Sequence, residues 1–237
     1  MISLVCDQLP SYVVGDEPLS GRLMAWWEAY RGTDFAHFYR TEQGGCIALM
    51  DAQAIVCAPA EDAEEISAFF KLQPQVRSLY TNLADVVDGK VNHFTAMRAD
   101  FAAQPDTFDT VKLPVLHEFL SAYFGDLPPF EAWYLDVAYR TRHGLCRQAV
   151  IGDGEWVASS AMTVAEWTGG ALIGGVATAP AHRRKGLAGR LVSGLTGNLQ
   201  AMGKTVWICP YTEAAHRLYR EIGFSDQGSV TVIERTS

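Results

Sequence analysis

The sequence is short of the features that would send it to a membrane, a secretory route or a metal site. No apolar stretch approaches the ~20 residues that a membrane-spanning helix needs. The first ten residues, Met1 to Pro10, carry no basic region, and Asp7 interrupts their short apolar run, so they do not read as a secretory signal. The five cysteines (Cys6, Cys46, Cys57, Cys146 and Cys209) are odd in number and far apart, with no CxxC and no Cys/His metal spacing. A disulfide framework and a zinc site are therefore not expected, and a reduced cytoplasmic protein without a metal is. There is no short repeat and no low-complexity linker. No GxGxxG follows an early strand, which argues against a Rossmann-type nucleotide domain.

Basic charge is scarce in the front half. Residues 1 to 106 hold 7 Lys and Arg against 15 Asp and Glu, whereas residues 107 to 237 hold 12 against 12. An acidic front half argues against nucleic-acid binding, which depends on neutralising phosphates. It is compatible with a cationic substrate, and equally with a surface that serves only solubility.

What is present supports a packed globular chain of one large domain or two small ones. Its 237 residues are 49% hydrophobic and 19% charged, with six Trp, nine Tyr and eleven Phe to bury. In the first half, residues 22 to 30 read as a helix ending near Gly32. Residues 46 to 50 and 54 to 58 read as a hairpin around Asp51, and 60 to 71 as a helix with acidic residues in its first turn. Strands are expected at 76 to 80 and 91 to 99, and a domain boundary at the polar residues around Pro105, giving domains 1–106 and 107–237. In the second half, helices are expected at 115 to 124 and 130 to 143. The strands 147 to 151 and 156 to 163 are joined by the turn 152 to 154. An apolar strand at 171 to 178 is stopped by Pro180. Leu187, Leu191, Leu195 and Leu199, four residues apart, mark an amphipathic helix over 184 to 202. A short buried strand (205 to 209), a second amphipathic helix (212 to 222) and a β-rich end (229 to 234) follow. The order is that of an α/β fold with a mixed sheet.

The chemistry concentrates in Gly174-Gly-Val-Ala-Thr-Ala-Pro-Ala-His-Arg-Arg-Lys-Gly-Leu-Ala188. A strand runs into a loop where basic residues and a glycine open a helix. Free backbone N–H groups at a helix N-terminus, backed by its dipole, attract anions. Gly186 permits close backbone approach, Ala188 keeps the first turn uncrowded, and Arg183, Arg184 and Lys185 add positive charge. Such a loop suits a pyrophosphate; by itself it is also an ordinary basic helix start.

Arg183-Arg-Lys-Gly186-Leu-Ala188 resembles the pyrophosphate signature Gln/Arg-x-x-Gly-x-Gly/Ala of the GNAT acetyltransferases, with Val176-Ala-Thr-Ala-Pro180 before it as the family's strand and proline. Ala215-His-Arg-Leu-Tyr-Arg-Glu-Ile-Gly-Phe224 looks like their second signature, a helix carrying Ala and Tyr and ending in Gly-Phe. The resemblance covers about residues 107 to 237. It implies a mixed, mostly antiparallel sheet flanked by helices, preceded by a smaller α/β domain over 1 to 106. That smaller domain reads either as a degenerate copy of the same fold or as an unrelated α/β cap.

The resemblance also implies an acyltransferase that moves an acetyl group from acetyl-CoA to a primary amine, on a small molecule, by direct attack in a ternary complex. Protein or peptide N-acetylation, and acyl-CoA binding without catalysis, are the alternatives. Cofactor contacts are implied at Val176, Ala177, Thr178, Arg183, Arg184, Lys185, Gly186, Leu187 and Ala188, with a backbone N–H near Val176 polarising the thioester. Tyr219 is implied as proton donor to the departing thiolate, against a role in core packing alone. No nucleic-acid or membrane partner is expected, and a homodimer is left open. No general base is evident: the strand before the loop has no carboxylate, Glu131, Glu155 and Glu166 are candidates that equally suit surface charges, and His182 sits beside the loop. His117 and His143 read as structural or solvated, and Cys209 as core filling. Arg140 and Arg142 read as bordering an acceptor pocket or facing solvent.

Overall fold

The computed structural model describes residues 2–5, 7–13, 17–125, 127–152 and 155–235. By its contacts the chain forms two compact units, residues 1–96 with 227–237, and residues 97–226. The dividing points fall inside two strands, about ten residues before the polar segment around Pro105 and again near the chain's end.

The second unit is built on the strands β7 (Gln148–Gly152), β8 (Val157–Trp167), β9 (Gly170–Thr178) and β10 (Thr205–Ile208). β7, β8 and β9 form an antiparallel meander, β9 and β10 run parallel, and β10 is bordered by the end of β6 (Lys90–Ala99), through Met97 and Arg98. Side chains alternate between the two faces as a strand's period of two requires. Ala149, Ala161 and Ile173 pack with Leu191, Leu195 and Leu199 of helix α5 (Leu187–Gln200). Their neighbours Val150 and Met162 pack with Leu116 and Leu120 of α3 (Leu113–Ser121) and with Trp133 and Val137 of α4 (Phe130–Arg142). The leucines at four-residue spacing thus form one buried stripe, with Leu187 only half-buried where the helix begins. Helix α6 (Glu213–Ile222) starts on Thr212, whose hydroxyl accepts from the Ala215 N–H. It ends at Gly223, whose φ of 117° is the left-handed cap that the Gly-Phe pair implies.

The first unit repeats part of this plan. Helix α1 (Pro18–Tyr30) precedes an antiparallel meander of β2 (His37–Arg40), β3 (Cys46–Met50) and β4 (Gln53–Cys57). Helix α2 (Ala63–Lys71) leads to β5 (Ser78–Thr81), parallel to β4. The short β1 (Ser3–Leu4) borders β2, and the end of β11 (Phe224–Glu234), residues Thr231 to Glu234, pairs antiparallel with β5. Ile47, Ala54, Val56, Ile66, Phe70 and Leu79 make the core, joined by Ile233. Strands β1 and β2 are not among those expected from the sequence. The hairpin, the acidic helix and the strands that follow are, with ends shifted by a few residues. The turn expected at 152 to 154 lies partly outside the described residues, since only Gly152 of it is described.

Candidate functional site

Strands β9 and β10 pair from Gly170/Thr205 to Ile173/Ile208 and then separate. Gly174 to Thr178 continue with no strand paired on the β10 side, leaving an open strand edge. Two irregularities mark the point of separation. Between Met162/Gly174 and Ser160/Ala177, β9 has one residue more than β8, a bulge that bends the strand and leaves a residue out of the ladder. Gly175 lies in it with φ 57°, and a β-carbon there would come within 2.9 Å of the Met162 Cγ, so both backbone sign and space favour glycine. The bulge is fixed from the β8 side: the Ser160 hydroxyl donates to the Gly175 carbonyl (2.8 Å) and the Ser159 hydroxyl to that of Ala177 (2.9 Å).

A cavity of about 670 Å³ opens where the strands part. Gly174 to Thr178 form one wall, Ile208, Cys209 and Tyr211 face them, and the loop after α3 contributes Tyr123, Phe124 and Gly125. Arg183, Arg184 and Ala188 stand at the α5 end, and Ala215, Leu218 and Tyr219 at the α6 side. Of the nine cofactor contacts that the sequence resemblance implies, Val176, Ala177, Thr178, Arg183, Arg184 and Ala188 line the cavity. Lys185, Gly186 and Leu187 lie outside its lining, in the turn that enters α5. That turn is held by backbone geometry: Arg184 and Gly186 both adopt positive φ, 59° and 75°. A β-carbon at Gly186 would meet nothing within 4 Å, so conformation alone accounts for glycine there. The α5 N-terminus has no side-chain cap, and its first intrahelical bond is Arg190 N–H to Gly186 O, leaving the N–H groups before it available to an anion. Arg183 donates from Nε to the Thr178 carbonyl (3.1 Å), tying the loop to the strand end. Arg190, one turn on, pairs with Asp106 at 2.9 Å.

Tyr219 is 5% exposed, belongs to the α5-side core, and lines the cavity, so packing and site duty are combined in one side chain. Burial, with the Cys209 thiol as a smaller influence, pushes its phenol above the ordinary value of 10. The group is a hydrogen-bond donor at any physiological pH.

Three expectations are corrected. Cys209 is half-buried and lines the cavity rather than filling the core. Glu166 is no free carboxylate: it is 2% exposed at the far end of β8, paired with Arg147 (3.2 Å) and Lys204 (3.6 Å). Arg140 neither borders the cavity nor faces solvent; it is 6% exposed, bound to Asp136 at 2.6 and 2.9 Å and directed at the Thr163 carbonyl. Glu131 and Glu155 are exposed and away from the lining, and His182 stacks on Trp156 at 5.3 Å. His117 bonds the Pro128 carbonyl (3.1 Å), and His143 the Tyr139 carbonyl at the end of α4 (2.8 Å), the structural roles expected of them. No Asp or Glu is among the described residues of the lining. Sequence reasoning missed Tyr123, Phe124, Gly125 and Tyr211. They come from segments without a motif, and only the packing of α3 brings the first three to the strand edge.

The chain has counterparts among known proteins, in sequence over part of its length and in fold over most of it. Residues 155–232 match the family model described as FR47-like protein. A putative acetyltransferase from the GNAT family of Novosphingobium aromaticivorans superposes with a TM-score of 0.63 at 17% identity, covering 93% of this chain and 98% of its own. The chain has the GNAT fold. A GCN5-related N-acetyltransferase of Kribbella flavida is similar to the same extent (TM-score 0.63, 16% identity, 92% and 95% covered). A tandem GNAT protein from the clavulanic acid biosynthesis pathway aligns over 94% of this chain and 90% of its own (TM-score 0.55, 11% identity), in keeping with a two-domain GNAT architecture. No curated protein sequence matches the chain. Among the described residues no group of His, Cys, Asp or Glu is arranged to hold a metal, and no helix is long and apolar enough to cross a membrane.

Proposed function

We propose that the protein transfers an acetyl group from acetyl-CoA to a primary amine on a small molecule, both substrates being bound together. The observation that carries the reading is the free edge of β9 from Gly174 to Thr178, which opens a 670 Å³ cavity and ends at the uncapped start of α5. The residues fit acetyl-CoA along its length. The strand edge offers alternating N–H and C=O groups to the amides of a pantetheine arm, as a neighbouring strand would. The N–H groups at the α5 start, with Arg183, Arg184 and Lys185, suit the pyrophosphate.

The co-substrate supplies the activated acyl thioester; the chain supplies position and charge. A backbone N–H of the bulged segment near Val176 donates to the thioester carbonyl and stabilises the negative charge that develops as the amine adds. Tyr219 keeps its proton because it is buried, and it directs that proton at the leaving sulfur. In a partly apolar cavity a bare thiolate is as unfavourable as a bare phenolate, so a donor beside it lowers the cost of departure. The aromatic residues Tyr123, Phe124 and Tyr211 border the space left for the amine. With no carboxylate among the described lining residues, water relays the proton lost by the amine.

The test is a calorimetric titration with acetyl-CoA, with CoA and NADH as controls, followed by free-thiol release over a panel of amines. Saturable acetyl-CoA binding and amine-dependent thiol release support the proposal. Binding without release under any amine would favour an acyl-CoA-binding role, and no binding by the folded protein would overturn both readings.

A further inference from the structure

The first unit contains the same junction in miniature, and it is already occupied. Its parallel pair β4/β5 runs from Gln53/Ser78 to Val56/Thr81. Ala58-Pro59-Ala60 then leads through a 3-10 turn, Ala60–Asp62, into α2, just as Ala179-Pro180-Ala181 leads through Pro180–His182 towards α5. The differences lie in length, partner and charge. In the second unit six residues, 174 to 179, separate the last paired residue of β9 from its proline; in the first unit only Cys57 and Ala58 separate Val56 from Pro59. Ala58 is fully buried, and its backbone is taken on both sides by one side chain. Its N–H donates to the Asn82 Oδ1 (3.1 Å), and its carbonyl accepts from the Asn82 Nδ2 (2.8 Å). Asn82 follows β5 directly, so a carboxamide extends the ladder where the backbone of β5 stops. The helix start that follows carries Glu61, Asp62, Glu64 and Glu65 instead of cations. Asp62 is buried and accepts from the Thr41 hydroxyl (2.5 Å) and the Gln43 N–H (3.0 Å), and Glu65 accepts from the Glu42 N–H (3.0 Å).

We infer that the Asn82 carboxamide is a built-in substitute for a ligand amide, sealing the strand edge of the first unit, so that the chain takes up a single acyl-CoA, in the second unit alone. The count rests on the acyl-CoA reading of the second unit; the seal does not. An amide is the group that a strand edge binds best, because it presents one donor and one acceptor to one residue. Here a side chain, tethered one residue beyond its strand, makes both bonds without the loss of freedom that a diffusing ligand incurs. Carboxylates at the α2 start repel the phosphates that cations attract at α5.

Two measurements test this. Calorimetry should give one equivalent of acetyl-CoA per chain for the wild type and none for Gly186→Glu. Two equivalents, or a saturable site surviving in Gly186→Glu, would overturn the inference while leaving the proposed function standing. Amide hydrogen exchange read by NMR tests the seal without any ligand. The Ala58 N–H should be protected in the wild type and exchange at least 10-fold faster in Asn82→Ala, with a melting temperature several degrees lower and amine-dependent thiol release unchanged. Equal Ala58 exchange in the two proteins would overturn the seal. If the wild type binds no acetyl-CoA, the proposed function and the count of one fall together, and the Ala58 exchange rates alone decide whether Asn82 seals the edge.

Discussion

At Ala179-Pro180-Ala181 and at Ala58-Pro59-Ala60 the chain makes the same transition, from a strand with a parallel neighbour through a 3-10 turn to a helix, and puts it to opposite uses. In the second unit the strand overruns its neighbour, its edge opens on a cavity, and the helix start is uncapped and cationic. In the first unit the strand stops short: Asn82 bonds the N–H and the carbonyl of Ala58 just beyond it, and the helix start, likewise without a side-chain cap, is acidic, with Asp62 and Glu65 holding the turn that follows β2. Buried backbone groups must find partners. The first unit meets that demand by internal closure, which contributes to stability, whereas the second leaves an edge open on a cavity. Substitutions at the open junction should therefore change binding and turnover, and those at the closed junction stability alone.

The largest effect is expected at the turn that enters α5. Gly186→Glu puts a carboxylate where phosphate is expected and a side chain at φ 75°; acetyl-CoA affinity should fall at least ~100-fold, at a conformational cost of only about 1 kcal/mol. A near-normal dissociation constant with a cooperative melting curve would break the comparison at its functional end. Next comes Tyr219→Phe, which keeps the ring in the core and removes the donor. Turnover should drop roughly 100-fold or more, with acetyl-CoA affinity within about threefold, as for loss of a general acid. An unchanged turnover would return Tyr219 to packing alone. Glu166 belongs with the closed kind of site although it lies in the second unit. Glu166→Gln leaves Lys204 short of a buried counter-charge and should cost about 3 kcal/mol in denaturant melts with little change in turnover. A turnover loss exceeding 100-fold would make Glu166 a base after all.

In the first unit, Asp62→Ala strands the Thr41 hydroxyl and the Gln43 N–H, at about 2 kcal/mol, with the acetyl-CoA titration unaltered. Any weakening of binding would show that the first unit does more than fold. A further effect in the first unit is pH-dependent. Cys46 and Cys57 are register partners on β3 and β4, and burial pushes the Cys46 thiol up to about 12 and that of Cys57 higher still. In the unfolded chain both ionise near 9, so above that pH the unfolded state sheds protons that the folded state keeps. Stability is full below pH 9 and lost as pH rises, by ~1.4 kcal/mol per pH unit for each thiol. Cys46→Ala should lessen the fall of melting temperature between pH 9 and 11; an unchanged slope would mean the thiols are not held neutral by the fold.

Much of the second unit could be read from the chain because its signals are local. The four leucines of α5 repeat at helical spacing, Gly223 closes α6 where Gly-Phe stands, and the cations and glycine of the turn that enters α5 are contiguous. The strands β1 and β2 escaped because they are short and carry no alternating pattern: His37–Arg40 reads exposed, buried, half-buried, exposed. The acid at position 166 misled because a carboxylate on a strand looks the same whether free or tied to Lys204 and Arg147. Arg140 misled in the same way, since its partner Asp136 is visible one helical turn earlier but its burial is not.

The sequence by itself determined the order of elements in the second half of the chain, the amphipathic faces, and the composition of the turn that enters α5, since each depends on residues within a few positions of one another. Only the tertiary structure decided that β9 outruns β10 by a bulge, that Tyr123 and Phe124 meet Cys209 and Tyr219 around one cavity, and that each unit takes its bordering strand from residues far away in the chain, Met97 and Arg98 for one and Thr231 to Glu234 for the other. Those facts rest on register and long-range pairing. Backbone hydrogen bonds are alike for every residue, so no side chain announces which strand edge will be left open.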